Sequence, residues 1–280
     1  MTKHEYAIEQ QKIIHALKIA PTFNAEAEIA NRIAFLCDQL VRYQRRSLVL
    51  GISGGVDSLT AGMLAQAAVK QAREQGVDAK FIAMRLPHGT QADESEAQDC
   101  IGVIKPDTIL TVNIKPATDG TMQALVAGGQ TFTGPDQEDF IRGNVKARQR
   151  MIAQYAVAGA SHGLVIGTDH AAEALMGFFT KHGDGACDIT PLTALNKRRV
   201  RAMAAALGAP ESLVFKVPTA DLEELVPQKP DEAAYGVTYD EIDDFLEGKR
   251  VSDDAYQLIF KHYRSTAHKR ALPVDPFSVG

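Results

Sequence analysis

Tryptophan is absent from the 280 residues, aromatic residues make up only 6%, and there are just three cysteines, Cys37, Cys100 and Cys187. Three is an odd number and no two are spaced C-x-x-C. The sequence therefore offers no disulfide framework, zinc knuckle or dithiol redox pair, and reads as a protein of a reducing compartment. No uninterrupted apolar run approaches ~18 residues, so no membrane-spanning helix is expected. The N-terminus carries His4, Glu5, Glu9, Gln10 and Gln11 where a secretory signal needs an apolar stretch. Positive charge is not in excess either: 30 Lys and Arg stand against 35 Asp and Glu, a formal charge of −5. That balance lacks the electrostatic footprint of a protein that tracks nucleic acid. It leaves room for a small anion held by local dipoles and a few cations. Repeats and low-complexity tracts are missing, and 45% apolar with 23% charged residues is ordinary globular composition. The expectation is a soluble cytoplasmic protein with no nucleic-acid or membrane partner.

What the chain does contain is an alternation of helical and strand-like segments. Ile29, Ile33, Leu36, Cys37 and Leu40 share one helical face and predict an amphipathic helix over 25–43. Short apolar runs at 48–52, 80–85, 108–114 and 164–167 suit strands buried on both faces. Helical stretches at about 57–74, 92–104 and 136–160 separate them. Strand, helix, strand in this rhythm implies right-handed crossovers and an α/β fold, an open, doubly wound parallel sheet with helices on both faces. Further helices are expected at 196–207, 238–247 and 252–269, the second opened by a Thr238/Glu241 capping box. The stretch 217–237, with Pro218, Pro227, Pro230 and Gly236, is too long and proline-rich for an ordinary connector and reads as a mobile lid. No linker divides the chain, so residues 1–280 are read as one domain. Residues 1–44 form a helical N-terminal extension suited to packing or dimer contacts, and residues 45–270 form the core.

The sharpest local feature is Gly51-Ile52-Ser53-Gly54-Gly55-Val56-Asp57-Ser58, placed between the first strand and a helix. Two consecutive glycines allow close backbone approach to a ligand. The free N–H groups of a helix start, aided by its dipole, favour a phosphate, and Ser53 and Ser58 add hydroxyl donors. The segment matches neither the Walker pattern nor G-x-G-x-x-G. Asp57 is the distinguishing residue. A carboxylate beside a phosphate loop repels the ligand unless a cation lies between them, and Mg²⁺ is the natural bridge. A tight strand-to-helix turn with Asp57 as an N-cap is the bland alternative.

The Ser-Gly-Gly-x-Asp-Ser segment resembles the signature of the ATP pyrophosphatases, the PP-loop superfamily, whose fold is adenine nucleotide alpha-hydrolase-like. Its members adenylate an oxygen of their substrate and release pyrophosphate. Five further segments narrow the resemblance: Gly143–Met151, Gly167–Glu173, Gly177–Gly185 with Asp188, Pro218–Leu222, and His268-Lys269-Arg270. Together they look like the ammonia-dependent NAD synthetases, over about Arg45 to Arg270. The resemblance implies that Gly51, Ile52, Ser53, Gly54, Gly55, Val56, Asp57 and Ser58 hold ATP, with Thr168, Lys197 and Thr219. It implies Mg²⁺ on Asp57 and Glu173. Arg148, Lys181, Asp188, His268 and Lys269 would then hold nicotinic acid adenine dinucleotide (deamido-NAD). Asp57, Glu173 and Lys197 form the implied catalytic set, and Arg85 and Gln91 are weaker candidates for the ATP pocket. A homodimer with the dinucleotide at its interface is implied as well.

Read from the residues alone, several of these positions keep a second meaning. Thr168 also suits a helix N-cap, Glu173 a solvated helix position, and Lys197 an ordinary surface lysine. Arg148 lies on a charged helical face of the kind that is usually just solvated. Lys181 sits in a Gly- and Phe-rich corner, and Asp188 suits a turn cap. His268 and Lys269 complement a helix C-terminus. The chain leaves no room for a glutamine-hydrolysing domain, so free ammonia is the expected nitrogen donor. The alternatives are another PP-loop adenylating enzyme, such as a GMP synthetase ATPase subunit, or a non-catalytic ATP-binding sensor. A tRNA thiolase is disfavoured by the acidic charge and the missing C-x-x-C.

Overall fold

A computed structural model describes residues 3–89, 94–220, 224–225 and 229–277. The elements run α1 (Lys3–Ala16), α2 (Ala25–Arg42), β1 (Ser47–Gly51), α3 (Val56–Glu74), β2 (Lys80–Arg85), α4 (Glu94–Ile104) and β3 (Thr108–Thr111). They continue α5 (Lys115–Ala127), α6 (Pro135–Ala160), β4 (Gly163–Val165), α7 (Ala171–Met176), α8 (Lys197–Ala206) and α9 (Glu211–Val214). The rest are β5 (Thr219–Ala220), β6 (Lys229–Pro230), α10 (Asp231–Tyr235), α11 (Tyr239–Leu246), α12 (Asp253–Ser265) and α13 (Ala267–Arg270).

Four strands form one parallel sheet in the order β3-β2-β1-β4. Leu48 of β1 stands between Phe81 of β2 and Leu164 of β4. Side chains alternate between faces, as the two-residue period of a strand requires. Leu48, Leu50, Phe81, Ala83 and Leu164 join the core shared with α2, α3, α4 and α8. Val49, Ile82, Met84 and Val165 turn to the other side, onto α6. Both faces are thus covered by helices, which is why the strands read as continuous apolar runs.

This order has a functional corollary. From β1 the chain winds outward through β2 and β3, then returns through α6 to place β4 on the other side of β1. The carboxyl ends of β1 and β4 therefore flank the point where winding reverses, the crevice in which open α/β sheets hold ligands.

A third core lies away from the sheet. It joins α1, α7, α10, α11 and α12 through Tyr6, Ile13, Leu175, Tyr235, Ile242, Phe245, Tyr256 and Phe260. The Tyr6 and Tyr256 rings stack with centroids 4.8 Å apart. Buried Gln10 donates to the carbonyls of Phe245 and Lys249 at 2.7 and 2.8 Å and accepts from the Tyr256 hydroxyl at 3.0 Å. The inner side of α1 is thus occupied within its own chain.

Most expected elements are present, with physical reasons for the differences. Helix α5 was not expected from its sequence, which holds Pro116, Gly120 and Gly128. Pro116 lies at the helix start, where its missing N–H costs nothing, and Gly128 caps the end. The strand expected over 108–114 stops at Thr111 because β3 is an edge strand with half its residues exposed. The long helix expected over 252–269 breaks at Thr266, whose hydroxyl donates to the His262 carbonyl at 2.7 Å. The segment expected as a lid contains the antiparallel β5–β6 pair and α10. Gln91 and the side chain of Thr219 lie outside the described residues.

Candidate active site

The loop after β1 is shaped by its own sequence. The Ile52 N–H donates to the Met84 carbonyl at 2.8 Å, and that of Gly51 to the Gln154 side chain at 2.8 Å. Gly54 adopts φ +88°, and a Cβ there would stand 3.1 Å from the Ala97 amide. A side chain at position 54 is thus disfavoured by both conformation and space. The Ser58 hydroxyl donates to the Gly55 carbonyl at 3.0 Å and lies 3.3 Å from the Ser53 hydroxyl. Leu59 is the first amide of α3 to find a helical carbonyl, that of Gly55 at 3.1 Å. The N–H groups of Val56, Asp57 and Ser58 belong to the first turn, which has no carbonyl within the helix to bond.

From the other side of the crevice, the chain leaves β4 through Ile166–Asp169 and enters α7, which carries Glu173 in its first turn. Gly177 ends α7 with φ +64°, and a Cβ there would collide with Thr266. Helix α8 supplies the third group. Asn196 caps it by accepting from the Arg199 N–H at 2.9 Å. The buried Asp243 carboxylate receives the N–H groups of Lys197 and Arg198 at 3.0 and 2.7 Å. This anchored start directs the Lys197 ammonium to Asp57 Oδ2 at 2.7 Å, with the Tyr239 ring centroid 5.0 Å away.

Asp57, His170 and Glu173 thus converge from the starts of two helices, α3 and α7. Imidazole Nε2 of His170 lies 3.4 Å from Asp57 Oδ1 and 3.7 Å from Glu173 Oε1. Ligand atoms of the three residues lie within 4.8 Å of one another. Burial opposes ionisation of Asp57, but Lys197 and then His170 hold its carboxyl below the usual range. Lys197 is only 2% exposed. Burial opposes its charge too, yet Asp57 and Glu173 raise its pKa. Glu173 is pushed well above the usual range by burial and then by Asp57. Burial, aided by the Lys197 charge, drives the His170 imidazole down to about 4 against the pull of Asp57.

Asp57 Oδ1 and both ring nitrogens of His170 are buried and have no hydrogen-bond partner. Such orphaned polar atoms are rare unless something else satisfies them. Two carboxylates presented together, one with an unfilled oxygen, fit a hard divalent cation that takes one or two protein carboxylates plus phosphate oxygens.

Asp57, Glu173 and Lys197 line a cavity of about 440 Å³. Gly51, Ile52, Ser53, Gly55, Val56, Asp57 and Ser58 lie on its wall, with Thr168, Glu173, Lys197, Lys269 and Arg85. Gly54 instead packs against Glu96 and Ala97. Arg148, Lys181 and His268 form a chain of contacts of their own: Arg148 donates to the Lys181 carbonyl at 3.2 Å, and Lys181 to the His268 carbonyl at 2.5 Å. The Lys269 ammonium donates to the carbonyls of Gly177 and Phe179, both at 2.8 Å. Asp188 accepts the Val165 N–H of β4 at 2.7 Å and the Tyr155 hydroxyl at 3.4 Å.

The sequence reading gave no role to Asp169, His170 or Asp184. Burial, followed by Asp184 and Asp57, raises Asp169 from the usual 3.8 to about 7. Burial raises Asp184 as well. Between pH 3.8 and about 7 the folded chain therefore holds a proton on Asp169 that the unfolded chain releases. Stability contributed by that proton is complete below the lower value and is lost as pH rises through the upper one. The contribution of Asp169 to the melting temperature of the ligand-free protein is expected to fall across this window. In Asp169→Asn the slope should be visibly shallower in calorimetric scans; an unchanged slope would show that Asp169 does not titrate there.

Loop, sheet order and acidic pair together define a PP-loop α/β protein. The NAD synthase family model matches residues 28–273. A protein of Burkholderia cenocepacia named NH(3)-dependent NAD(+) synthetase is 60% identical over 277 residues, 99% of this chain and 98% of its own. The crystal structure of NAD+ synthetase from Burkholderia pseudomallei is 54% identical with a TM-score of 0.83, covering 96% of this chain and 98% of that one. The structure of NMN synthetase from Francisella tularensis is 36% identical, with a TM-score of 0.77 and coverage of 91% and 100%. The chain belongs to the NAD synthase family.

Proposed function

We propose that the chain amidates deamido-NAD with ammonia at the expense of ATP, yielding NAD, AMP and pyrophosphate. The observation that carries this reading is the meeting of Asp57, at the phosphate-type loop, with Glu173, across the switch point of the sheet. A carboxylate is a poor electrophile. In the first step a nicotinate carboxylate oxygen attacks the α-phosphorus of ATP, and the bond to pyrophosphate breaks. In the second, ammonia attacks the carbonyl carbon of the acyl-adenylate, AMP leaves with the original carboxylate oxygen, and nitrogen gives up a proton.

The protein's part is positioning and charge management. The first-turn amides of α3, with Ser53 and Ser58, bind the phosphates, and Lys197 moves its charge from Asp57 towards them. Asp57 and Glu173 would hold Mg²⁺, which supplies charge neutralisation at the polyphosphate when bound. Thr168 and Thr219 complete the ATP contacts. Arg148, Lys181, Asp188, His268 and Lys269 are assigned to the dinucleotide. A homodimer with that site at its interface is supported by α6, whose exposed Phe140, Arg148 and Ile152 share one helical stripe.

The test supplies Mg-ATP, ammonium and deamido-NAD, with the corresponding mononucleotide acid in a parallel assay because one relative is named for NMN synthesis. Oxygen-18 in the nicotinate carboxylate is expected to appear in AMP. NAD formed without label transfer would reject the adenylate route, and preference for the mononucleotide would reassign the substrate.

Water exclusion bears on the same reaction, since an acyl-adenylate hydrolyses if exposed. Among the described residues, the segment expected as a lid is held to α6 through Glu224 and Leu225. The carboxylate of Asp139 accepts the N–H groups of Glu224 and Leu225, both at 2.8 Å, and Lys146, 3% exposed, pairs with Glu224 at 2.9 Å. Asp139→Ala is expected to raise AMP released per NAD formed severalfold, measured by quantifying both products in one reaction. A ratio that stays at one would separate this latch from water exclusion.

A further inference from the structure

We propose that Lys216 is a further cationic contact for the ATP polyphosphate, held in reserve by Glu96 until the nucleotide arrives. The inference rests on ATP being the ligand of the Gly51–Ser58 loop. Lys216 lies between α9 and β5, outside the loop and outside the residues assigned above, and its side chain lines the same cavity as Ser53, Gly55 and Ser58. Its ammonium stands 3.7 Å from Glu96 Oε1, beyond direct hydrogen-bond reach.

Glu96 marks where that ammonium sits. It belongs to the first turn of α4, and its Cβ lies 3.3 Å from where a Cβ on Gly54 would be. The Lys216–Glu96 pair therefore abuts the bend of the loop itself. Among the other cations of the wall, Arg85 is 8% exposed at the end of β2, and the remaining three are bonded within the chain. Lys197 is bonded to Asp57, Lys269 to two carbonyls, and Arg150 to the Leu86 carbonyl at 3.0 Å. Even with Mg²⁺ bound, an ATP polyphosphate keeps a net negative charge for the cations of the wall to meet.

A phosphate oxygen and the Glu96 carboxylate are chemically alike as partners for an ammonium. The present pair is long and its side chains are 24% and 36% exposed, so the exchange gives up little. Glu96 thus has two effects. It keeps Lys216 beside the loop without ligand, and it repels the phosphates that take its place. The competing explanation is a surface ion pair that only fastens the α9–β5 connection to α4. The two accounts part on Glu96. For a mere fastener, removing either partner has the same effect. For a reserve cation, removing the two partners moves ATP affinity in opposite directions.

The experiment measures the Kd of Mg-ATP by calorimetry and the KM values for ATP and the acid substrate, in wild type, Lys216→Met, Lys216→Arg and Glu96→Gln. Expected are a loss of about tenfold in ATP affinity for Lys216→Met, recovery of most of it in Lys216→Arg, and a two- to fourfold gain, on the order of one lost repulsion, in Glu96→Gln. The KM for the acid substrate should stay within twofold throughout. Lys216→Met binding ATP as wild type does, or Glu96→Gln weakening it as Lys216→Met does, overturns the proposal. Should Lys216→Met fail to fold, the direction of the Glu96→Gln change decides alone. Wild-type protein that binds no ATP would instead reject the function on which the proposal rests.

Discussion

Replacing Lys197 with methionine is expected to cut NAD formation by about 10²–10³-fold and to lower the melting temperature of the ligand-free protein. The two losses share one cause. The Lys197 ammonium is buried at the start of α8 and bonded to Asp57 at 2.7 Å, with Glu173 adding to its charged form. Without it, Asp57 and Glu173 face each other in a largely buried site with no strong cation between them. Breaking a buried pair by removing one partner costs about 3–5 kcal/mol. For a chain of this size that corresponds to a fall in Tm of roughly 10 °C. Methionine keeps the length and apolar character of the stem, so lost packing contributes little. Millimolar Mg²⁺ should restore part of the Tm by taking the place of the ammonium, and none of the activity. Calorimetry with and without Mg²⁺ measures this directly. A variant as stable as wild type would mean that Lys197 is not the internal counter-ion.

Glu173→Gln should do the opposite to stability while harming catalysis more. Burial and Asp57 push the Glu173 carboxyl well above its usual pKa, so its ionised form is a cost the empty protein bears. The amide has the same shape and no charge. The ligand-free variant is therefore expected to melt a few degrees higher than wild type at pH 8. It also lacks one of the two carboxylates assigned to Mg²⁺. Losing several kcal/mol of charge stabilisation at the phosphates lowers kcat by at least ~10³-fold. The stabilising effect of added Mg²⁺ should vanish with it. A higher Tm together with unaltered turnover would remove Glu173 from the reaction and leave it as a strained structural acid.

Those opposite signs also explain what could be read in advance. The strands announced themselves because Leu48, Val49 and Leu50 are buried on both faces, leaving no polar residue to blur the pattern. The loop was legible because glycines, serines and Asp57 are contiguous. Glu173 came within reach because it follows the β4 strand by a few residues. Lys197 was different. It lies 140 residues from Asp57, and a lysine at the start of a basic helix looks like any solvated one until α8 is placed against α3. His170 carried a faint signal, its i,i+3 spacing to Glu173, but only the fold shows both ring nitrogens sealed from water. Asp188, assigned to the dinucleotide, also holds the backbone of β4 by accepting the Val165 N–H. Helix α5 was hidden by a proline and glycines that are harmless where they fall.

The aromatic stack between Tyr6 and Tyr256 joins the first helix of the chain to one of the last. Helix α7, which carries Glu173, rests its Leu175 and Met176 on the same cluster. During synthesis, the phosphate-type loop and the sheet beneath it can assemble once α8, which shares their core, has emerged. The bed under Glu173 has to wait until residues near Phe260 have cleared the ribosome. A nascent chain thus completes the loop and its sheet before the bed that fixes the second acid.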